Sequence, residues 1–450
     1  MSLFCGLLFG LTPALRVPIH RLEEALPAGG RTMTGNSRRL HGPFVISEIA
    51  LAFLLLISAG MLGNTLLALS SLNPGFNPRN VLTARFALSP KGLDDPAQIR
   101  SAWQDVLDRA RRVPHVKFAA LADVIPMGEG QDVGPYRTTP NPLPPNEVPF
   151  ALMSFVTPDY LKVMGIPLLE GRFFNEHDRD GSRPVVVVDE DLARHAFGRK
   201  NVVGQHIWMF SAAPIEIVGV VGHVRHWGLA GDDQSRVHDQ LYSPFAQVPA
   251  GYLHLFSSFM SIALRTDEPA SFQRGDHSGE QTSPLAIVKP LQQELRGADG
   301  DQTLYQARTM DELVSASLDR QRFLSLLFGI FAVLASLLAC TGIYGVLAYL
   351  TGQRVPEIGV RMALGASVGD ILRLVLWQSL KMILVGVGIG IVAALEAARV
   401  FQHLVEGMQP INGATFAIMI PLLMAAALLA SFVPARRASL INPVRALRQE

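Results

Sequence analysis

Four long apolar runs constrain what this chain can fold into more than any other feature of its sequence. Two of them contain no charged residue, one contains only Glu48, and one carries Glu396 and Arg399 near its end. An α-helix rises about 1.5 Å per residue, so about 20 apolar residues cross the roughly 30 Å hydrocarbon core of a bilayer. The sequence therefore predicts four transmembrane helices, at residues 44–69, 321–350, 382–401 and 414–433.

The composition agrees with a membrane protein and excludes other classes. Hydrophobic residues make up 49% of the 450 residues and charged residues 17%, against about 25% charged in soluble domains. A disordered chain has the opposite balance. The formal net charge is +1, so there is no basic field that would favour a nucleic acid as partner. Cys5 and Cys340 lie in apolar runs without zinc-ligand spacing, which predicts two buried apolar side chains.

The third run predicts a helix-packing site. Gly386 and Gly390 form a G-x-x-x-G pair. Small residues at this spacing let two helix backbones approach closely within lipid.

The arginines of the short loops predict the orientation of the helices. Residues 16–41, 351–373 and 434–450 are rich in Arg, whereas 402–413 contain neither Arg nor Lys. Basic loops stay in the cytoplasm. Residues 70–320 are then expected outside, in a multi-pass protein of the cell (inner) membrane. The apolar residues 1–15 are too short to cross a bilayer and lack the basic start of a signal peptide.

Residues 70–320 predict an α+β domain, inserted between the first two helices and built of two lobes. Residues 139–149 are rich in proline and indicate an extended connection. Alternating patterns predict strands, and amphipathic patterns predict helices. The strands are expected at 81–88, 184–189, 215–221 and 258–265, and the helices at 97–112, 189–197 and 285–296.

A further amphipathic helix is expected at 309–322. Thr309 and Glu312 have the spacing of a capping box, so the helix should begin there. The pattern continues into the second apolar run, which predicts one long helix from the outer domain into the membrane.

The histidines offer one weak metal candidate, composed of His223, His226, His238 and Asp239. An H-x-x-H pair in a loop is a poor zinc signal, and a solvated strand edge is the favoured interpretation, so no metal site is predicted. The sequence contains no Gly-Lys dipeptide and therefore no phosphate-binding P-loop. We expect no enzymatic activity and no cofactor in this chain.

The loop between the second and third spans carries a family resemblance. Residues 354–366 read RVPEIGVRMALGA and resemble the coupling segment of MacB/FtsX-type ABC transporter permeases. Small residues there allow close docking. The amphipathic stretch 370–381 predicts an interfacial helix before the third span, within a cytoplasmic segment 351–381. Glu357 and Arg361 are i,i+4 partners. The resemblance implies that the ATPase is contacted by Arg354, Glu357, Gly359, Arg361, Ala363, Gly365 and Ala366.

The resemblance extends over nearly the whole chain, with the duplicated orphan permeases as the most similar subgroup. This sequence departs from the family at two places: His223 stands where an Asp is usual, which weakens the metal candidate further, and the coupling segment has Pro356. The matching segments are 74–88, 157–174, 184–207, 216–229, 308–323, 342–354 and 434–450.

The resemblance implies a permease half of a MacB-like export system. A separate cytoplasmic ATPase dimer would hydrolyse ATP, and movement would pass to the outer domain by mechanotransmission. The implied partners are that ATPase, a second permease half or a second copy, a periplasmic adaptor and the lipid bilayer. Family substrates include macrolides, peptides and lipoproteins, and the sequence does not choose among them. The alternatives are an FtsX-like signalling permease that activates a cell-wall hydrolase, and a membrane-anchored enzyme.

An internal repeat concerns the two ends of the chain. Residues 13–16 (PALR) match 434–437 (PARR), and 24–26 (EAL) match 445–447 (RAL) at the same offset. We therefore expect residues 1–43 to be the tail of a preceding permease half.

Overall fold

The computed structural model describes eleven stretches of the chain in two compact units. The repeat at 13–26 and 445–447, and residues 1–37 of the expected tail, lie outside the described residues. Of the described residues, one unit contains 38–57, 331–395 and 416–440, and the other contains those between 58 and 330 together with 396–404 and 413–415. The described stretches are 38–88, 95–128, 130, 132–144, 146–209, 213–232, 235–257, 260–267, 284–295, 303–404 and 413–440.

The helices of the described residues include four that are long and apolar enough to cross a membrane, with mean hydropathies of 2.0 to 2.5. These are α1, α8, α10 and α11 in the following list. The α-helices are α1 Arg38–Ser70, α2 Pro96–Arg112, α3 Tyr160–Met164, α4 Glu190–Phe197, α5 Ala250–Leu253, α6 Val288–Leu295, α7 Met310–Ala316, α8 Asp319–Gln353, α9 Val355–Ala363, α10 Val368–Leu404 and α11 Gly413–Ser439.

The interfacial helix expected at 370–381 forms the first part of α10, which runs without a break from Val368 through the third span. No Gly or Pro interrupts residues 370–385. The start of α10 is fixed by a reciprocal cap. The Asp370 carboxylate accepts hydrogen bonds from the Ser367 N–H and hydroxyl at 3.0 and 2.7 Å, and the Asp370 N–H donates to the Ser367 hydroxyl at 3.3 Å.

The long helix expected from 309 into the membrane is broken. Its start is as predicted: the Glu312 N–H donates to the Thr309 hydroxyl at 3.2 Å, and the Thr309 N–H donates to the Glu312 carboxylate at 3.1 Å. However, α7 ends at Ala316 and α8 begins at Asp319. Two helices separated by residues 317–318 therefore replace the expected single helix.

The outer domain is built on one sheet of eleven strands. Neighbouring strands follow the order β11-β1-β10-β2-β4-β9-β6-β8-β5, while β3 pairs with β4 and β7 with β8. Only the β4–β9 and β6–β8 pairs are parallel. The strands are β1 Val81–Ala87, β2 Val116–Ala122, β3 Val133–Pro135, β4 Phe150–Val156, β5 Leu168–Gly171, β6 Val185–Asp189, β7 His206–Ile207, β8 Ile215–Val221, β9 Gln240–Pro244, β10 Met260–Thr266 and β11 Thr303–Thr309.

The expected elements of this domain are present with small changes of boundary. The four strands correspond to β1, β6, β8 and β10, although residues 258–259 lie outside the described part. Two of the three helices correspond to α2 and α4. The third begins as a 3-10 turn, Pro284–Ile287, and becomes α6 at Val288. Pro290 lies in the first turn of α6, where its missing N–H breaks no helical hydrogen bond.

The two expected lobes are joined through the sheet. β2 and β4 meet at a single residue pair, Ala122 and Val156, so the pairing is narrow at this point. On one side α2 covers the sheet, with Trp103 fully buried and its ring centroid 5.8 Å from that of Phe86. A second core runs beneath both lobes, and Tyr160 of α3 belongs to it. The lobes therefore share a core and form one folded domain.

Candidate functional site

The coupling segment forms a short exposed helix, α9, between two membrane-spanning helices. Its first turn contains a proline, where the fixed φ angle favours helix initiation. The Arg361 guanidinium donates to the Glu357 carboxylate at 2.8 Å, one helical turn away, and both side chains are about half exposed. Such exposed pairs contribute only about 0.5 kcal/mol to stability, so the pair is available to other contacts at low cost.

The structure divides the seven coupling residues by exposure. Arg354 and Ala366 are half-buried, and the Arg354 guanidinium lies 3.5 Å from the Gln378 side-chain oxygen. Gly359 and its neighbour Ile358 are both buried, and the contact of Gly359 with a partner stays a prediction. The exposed members are Glu357, Arg361, Ala363 and Gly365.

Gly365 has a conformational role that its sequence context did not reveal. Its φ angle is +102°, a left-handed conformation that favours glycine, and it lies in the turn between α9 and α10. The preceding residue, Leu364, is 83% exposed. The turn therefore presents a large apolar side chain to the solvent beside the charged pair of α9.

Residues 365–369 also have the G-x-S-x-G spacing of a hydrolase nucleophile elbow. That motif requires a strand-to-helix turn, whereas Ser367 connects two helices. Its hydroxyl donates to the Asp370 carboxylate and caps α10. Ser367 is thus a helix cap.

Gly386 and Gly390 lie where α10 packs against α1. A Cβ atom at Gly386 would lie 2.8 Å from the Cβ of Ile49, and one at Gly390 would lie 2.9 Å from the Cβ of Phe53. Both distances are shorter than a carbon–carbon contact allows. The space at these positions is therefore filled by the facing helix, whereas a Cβ at Gly388 would have no neighbour within 4 Å.

A buried apolar cluster joins three parts of the second unit, and we name it the joint. It consists of Leu69, Leu229, Ala230 and Leu318, each at most 3% exposed. Leu69 lies at the end of α1, and Leu318 lies in the break between α7 and α8. The other two belong to the loop 222–232 that follows β8. The joint was not predicted, because its members are far apart in the sequence.

The loop 222–232 is held in place by His223, a mostly buried histidine. His223 Nδ1 lies 2.6 Å from the Asp189 carboxylate at the end of β6, and Nε2 lies 2.9 Å from Asp232. A third carboxylate, Asp191, lies 3.3 Å from Nδ1. Burial alone lowers the pKa of His223, but the hydrogen bonds to Asp189 and Asp232 and their charges outweigh burial and raise the pKa to about 10. The imidazole is therefore a cation at neutral pH that bridges two buried acids.

The metal candidate of the sequence does not form one site. Asp239 accepts from the Tyr136 hydroxyl at 2.6 Å and contacts His195 at 2.8 Å. Burial lowers the pKa of His226 to about 4. The solvated strand edge favoured for these residues is also wrong, because His226 is 5% exposed and His223 is mostly buried.

A different group within the described residues has ligand atoms close enough to hold a metal: Asp189, Asp191 and His223. Each nitrogen of His223 already contacts a carboxylate, and Asp189 also accepts from the N–H groups of Leu192 and Gln240. The geometry is that of a satisfied ion-pair cluster, and its role is to fix the loop of the joint.

Two family models match this architecture. The MacB-like periplasmic core domain matches residues 46–274, more than half of the chain, and the FtsX-like permease C-terminal domain matches residues 329–443. The chain belongs to the family of MacB-like and FtsX-like ABC transporter permeases. Its four apolar helices and its MacB-like outer domain make it a membrane protein with an extracytoplasmic domain.

Individual curated relatives share less than a third of their aligned residues with this chain. A macrolide export ATP-binding/permease protein MacB from Chromobacterium violaceum is 29% identical over 296 residues, which are 65% of this chain and 42% of that protein. A pyoverdine export ATP-binding/permease protein PvdT from Pseudomonas aeruginosa is 26% identical over 65% of this chain and 41% of the relative. The chain thus spans about two fifths of the length of these relatives. The uncharacterized ABC transporter permease YknZ from Bacillus subtilis is 24% identical over 67% of this chain and 70% of its own length.

Similar solved structures are periplasmic or extracellular domains. The periplasmic region of MacB from Actinobacillus actinomycetemcomitans is 17% identical, with a TM-score of 0.33, covering 56% of this chain and 98% of that one. The extracellular domain of the ABC-type transporter YknZ from Gram-positive bacteria is 14% identical, with a TM-score of 0.29, covering 50% and 100%.

The glycines of α10 yield a prediction with an internal control. Gly386→Ala and Gly390→Ala should each destabilise the protein by about 1–3 kcal/mol, because the new methyl group overlaps α1. Gly388→Ala should stabilise it by up to about 1 kcal/mol, because alanine is the better helix former. The measurement is the thermal unfolding midpoint of the detergent-purified chain. Equal effects at all three positions would show that the close packing on α1 is wrong.

The His223 cluster predicts a pH-dependent stability. The pKa is higher in the folded chain (about 10) than in the unfolded chain (about 6.5). The stabilisation is therefore complete below pH 6.5 and is lost as the pH rises through 10. His223→Asn should cost about 3 kcal/mol at pH 6, as expected for a broken buried ion pair, and less at pH 10.

The measurement for His223 is the thermal midpoint of both proteins between pH 6 and pH 10. His206→Asn, at an exposed position of β7, is the matched control and should show no such trend. A destabilisation by His223→Asn that does not change with pH would contradict the assignment of His223 as protonated at neutral pH.

Proposed function

We propose that this chain is a permease half of an export system of the inner membrane, and that it couples a separate cytoplasmic ATPase to its outer domain by mechanotransmission. It would act with a second permease half or a second copy of itself, and a periplasmic adaptor would complete the assembly. The signalling alternative shares the coupling step and differs only in what the outer domain acts on.

The exposed end of α9 carries this proposal. Glu357, Arg361 and Leu364 give a short helix an apolar side chain flanked by charges of both signs. A partner can recognise such a helix by placing it in a groove, with the apolar side chain as anchor and the charges setting its orientation. The loop also carries arginines, which supports a cytoplasmic position for it.

The two helices that precede the coupling helix, α7 and α8, offer a path for force. α8 contains 35 residues without a break, which corresponds to about 50 Å. Its first residue lies next to Leu318 of the joint, and α7 on the other side of Leu318 buries Met310 and Leu313 in the core of the outer domain. A displacement of α8 would therefore reach the outer domain through packed side chains.

The proposal of a separate ATPase rests on the family resemblance of the coupling segment. The MacB and PvdT relatives are named ATP-binding/permease proteins, whereas the present sequence has no P-loop. In the proposed assembly, ATP binds to an ATPase that docks on the coupling segment of this chain. The names of those relatives refer to macrolides and pyoverdine, and nothing in the described residues selects either substrate for this chain.

We predict that Leu364 contacts the ATPase. A photo-crosslinking amino acid at position 364 should capture a protein with a P-loop, identified by mass spectrometry, whereas one at Leu429, an exposed residue of α11, should not. With the captured ATPase reconstituted beside this chain, Glu357→Lys should lower the permease-stimulated ATP hydrolysis several-fold, because it reverses a charge at the docking surface.

The matched control for Glu357→Lys is Glu396→Lys. Glu396 forms an exposed pair with Arg399 at 2.7 Å in the last part of α10, so Glu396→Lys also breaks a surface ion pair. The double variant Glu357→Lys with Arg361→Glu restores the ion pair of α9, but each charge remains reversed at the docking surface. Full stimulation in Glu357→Lys, or equal loss in Glu396→Lys, would contradict the coupling role of α9.

The orientation gives a second test. In a chain with Cys5→Ser and Cys340→Ser, a cysteine at Asn141, exposed in the outer domain, should react with a membrane-impermeant maleimide in intact spheroplasts. A cysteine at Leu364 should react only after the membrane is opened, because we place α9 in the cytoplasm. Labelling of position 364 in intact spheroplasts would overturn the orientation.

A further inference from the structure

The outer domain contains an apolar cavity of about 520 Å³ on the side of the sheet where β4, β6 and β9 lie next to each other. This size suits a small organic molecule. Most of the wall is apolar and partly aromatic, including Phe155, Val185, Met209, Tyr252, Leu255 and Phe256.

The charged groups of the cavity are acidic. Asp132 and Asp180 line it, and none of the described lining residues is Lys or Arg. Asp180 is neutralised by the Arg100 guanidinium at 3.0 Å. In contrast, the Asp132 carboxylate has no hydrogen-bond or ion-pair partner among the residues that the structure describes. The cavity thus contains one carboxylate without a counter-charge.

A second carboxyl group increases the need for a counter-charge. Asp123 is fully buried, and burial raises its pKa to about 8, with a further contribution from the charge of nearby Asp132. Burial also raises the pKa of Asp132 itself. A positive charge at Asp132 would relieve both effects, because it favours the ionised form of each acid.

The floor of the cavity contributes an unpaired polar group. Ser243 of β9 is 7% exposed, and its hydroxyl has no hydrogen-bond partner in the described part of the chain. A buried hydroxyl without a partner is unfavourable, because it has lost its hydrogen bond to water. A polar atom of a bound molecule, reached by rotation of this side chain, would remove that cost.

We propose that this cavity binds an organic cation with an apolar body, whose ammonium group pairs with Asp132 while its hydrocarbon part lies against the aromatic wall. The aromatic faces of Phe155, Tyr252 and Phe256 add to the attraction for a cation. A neutral molecule of the same shape gains the apolar contact but leaves Asp132 unpaired, and an anion is repelled by it. The site is independent of the ATPase contact, so each can fail without the other.

The test uses the full chain in lipid nanodiscs with three probes of equal chain length: 1-octylamine, 1-octanol and octanoate. Binding is measured by isothermal titration calorimetry at pH 7, with empty nanodiscs subtracted to remove partition into lipid. We expect octylamine to bind at least tenfold more tightly than octanol, and octanoate not to bind. Equal affinity for octylamine and octanol, or no signal above empty nanodiscs, would overturn the proposal without any variant.

Variants then locate the site. Asp132→Asn should abolish the preference for octylamine over octanol. Glu147→Gln removes the same charge from an exposed loop and should preserve the preference. Leu255→Trp, at a half-exposed position of the wall, should weaken both probes because it occupies the cavity. A preference that survives in Asp132→Asn would show that the cation binds elsewhere.

Discussion

The absence of water in a bilayer core is the constraint on which the rest of this structure depends. Backbone N–H and C=O groups in the four apolar segments have no solvent partner, so each segment satisfies them internally as a helix. This explains why α10 continues through its basic beginning into the membrane, and why Pro421 is accommodated within α11. The outer domain is then a long insertion between α1 and α8, and its contacts with those helices determine what it can sense or transmit.

The transmitting contacts combine an apolar joint with an electrostatic anchor. Leu69 lies near the end of α1 and Leu318 directly before α8, the two helices that lead toward the membrane. Leu229 belongs to the loop that packs against both residues. That loop would be free to move if it were held by apolar contacts alone. The charged hydrogen bonds of His223, at the start of the loop, connect it to Asp189 at the end of β6 and to Asp232 at the end of the loop. The charge-assisted hydrogen bonds of His223 are directional, so they fix the position of the apolar joint, whose own contacts have no preferred direction.

Glycine is required for two different physical reasons in the unit that contains α9 and most of α10. Gly386 and Gly390 lack a side chain because the backbone of α1 lies against them, whereas Gly365 lacks one because its φ angle is left-handed. Both uses look alike in the sequence. The first strengthens contact between two spans, and the second exposes Leu364 at the turn where a partner is proposed to dock.

The sequence by itself determined several features that arise from neighbouring residues within one helix or strand. These include the four spans, the capping box of Thr309, the strand β6 with its run of valines, and the Glu357–Arg361 pair, because periodicity and capping are local properties. Local patterns did not show where a helix continues and where it breaks. The stretch 370–381 suggested an interfacial helix of its own, and 309–322 suggested an unbroken helix. The tertiary structure alone decided the burial of Gly359, the joint, the His223 cluster and the cavity at Asp132. Each depends on side chains brought together from distant segments, as Asp189 and His223 are from β6 and the loop after β8, and one sequence carries no signal of which distant carboxylate will meet which imidazole.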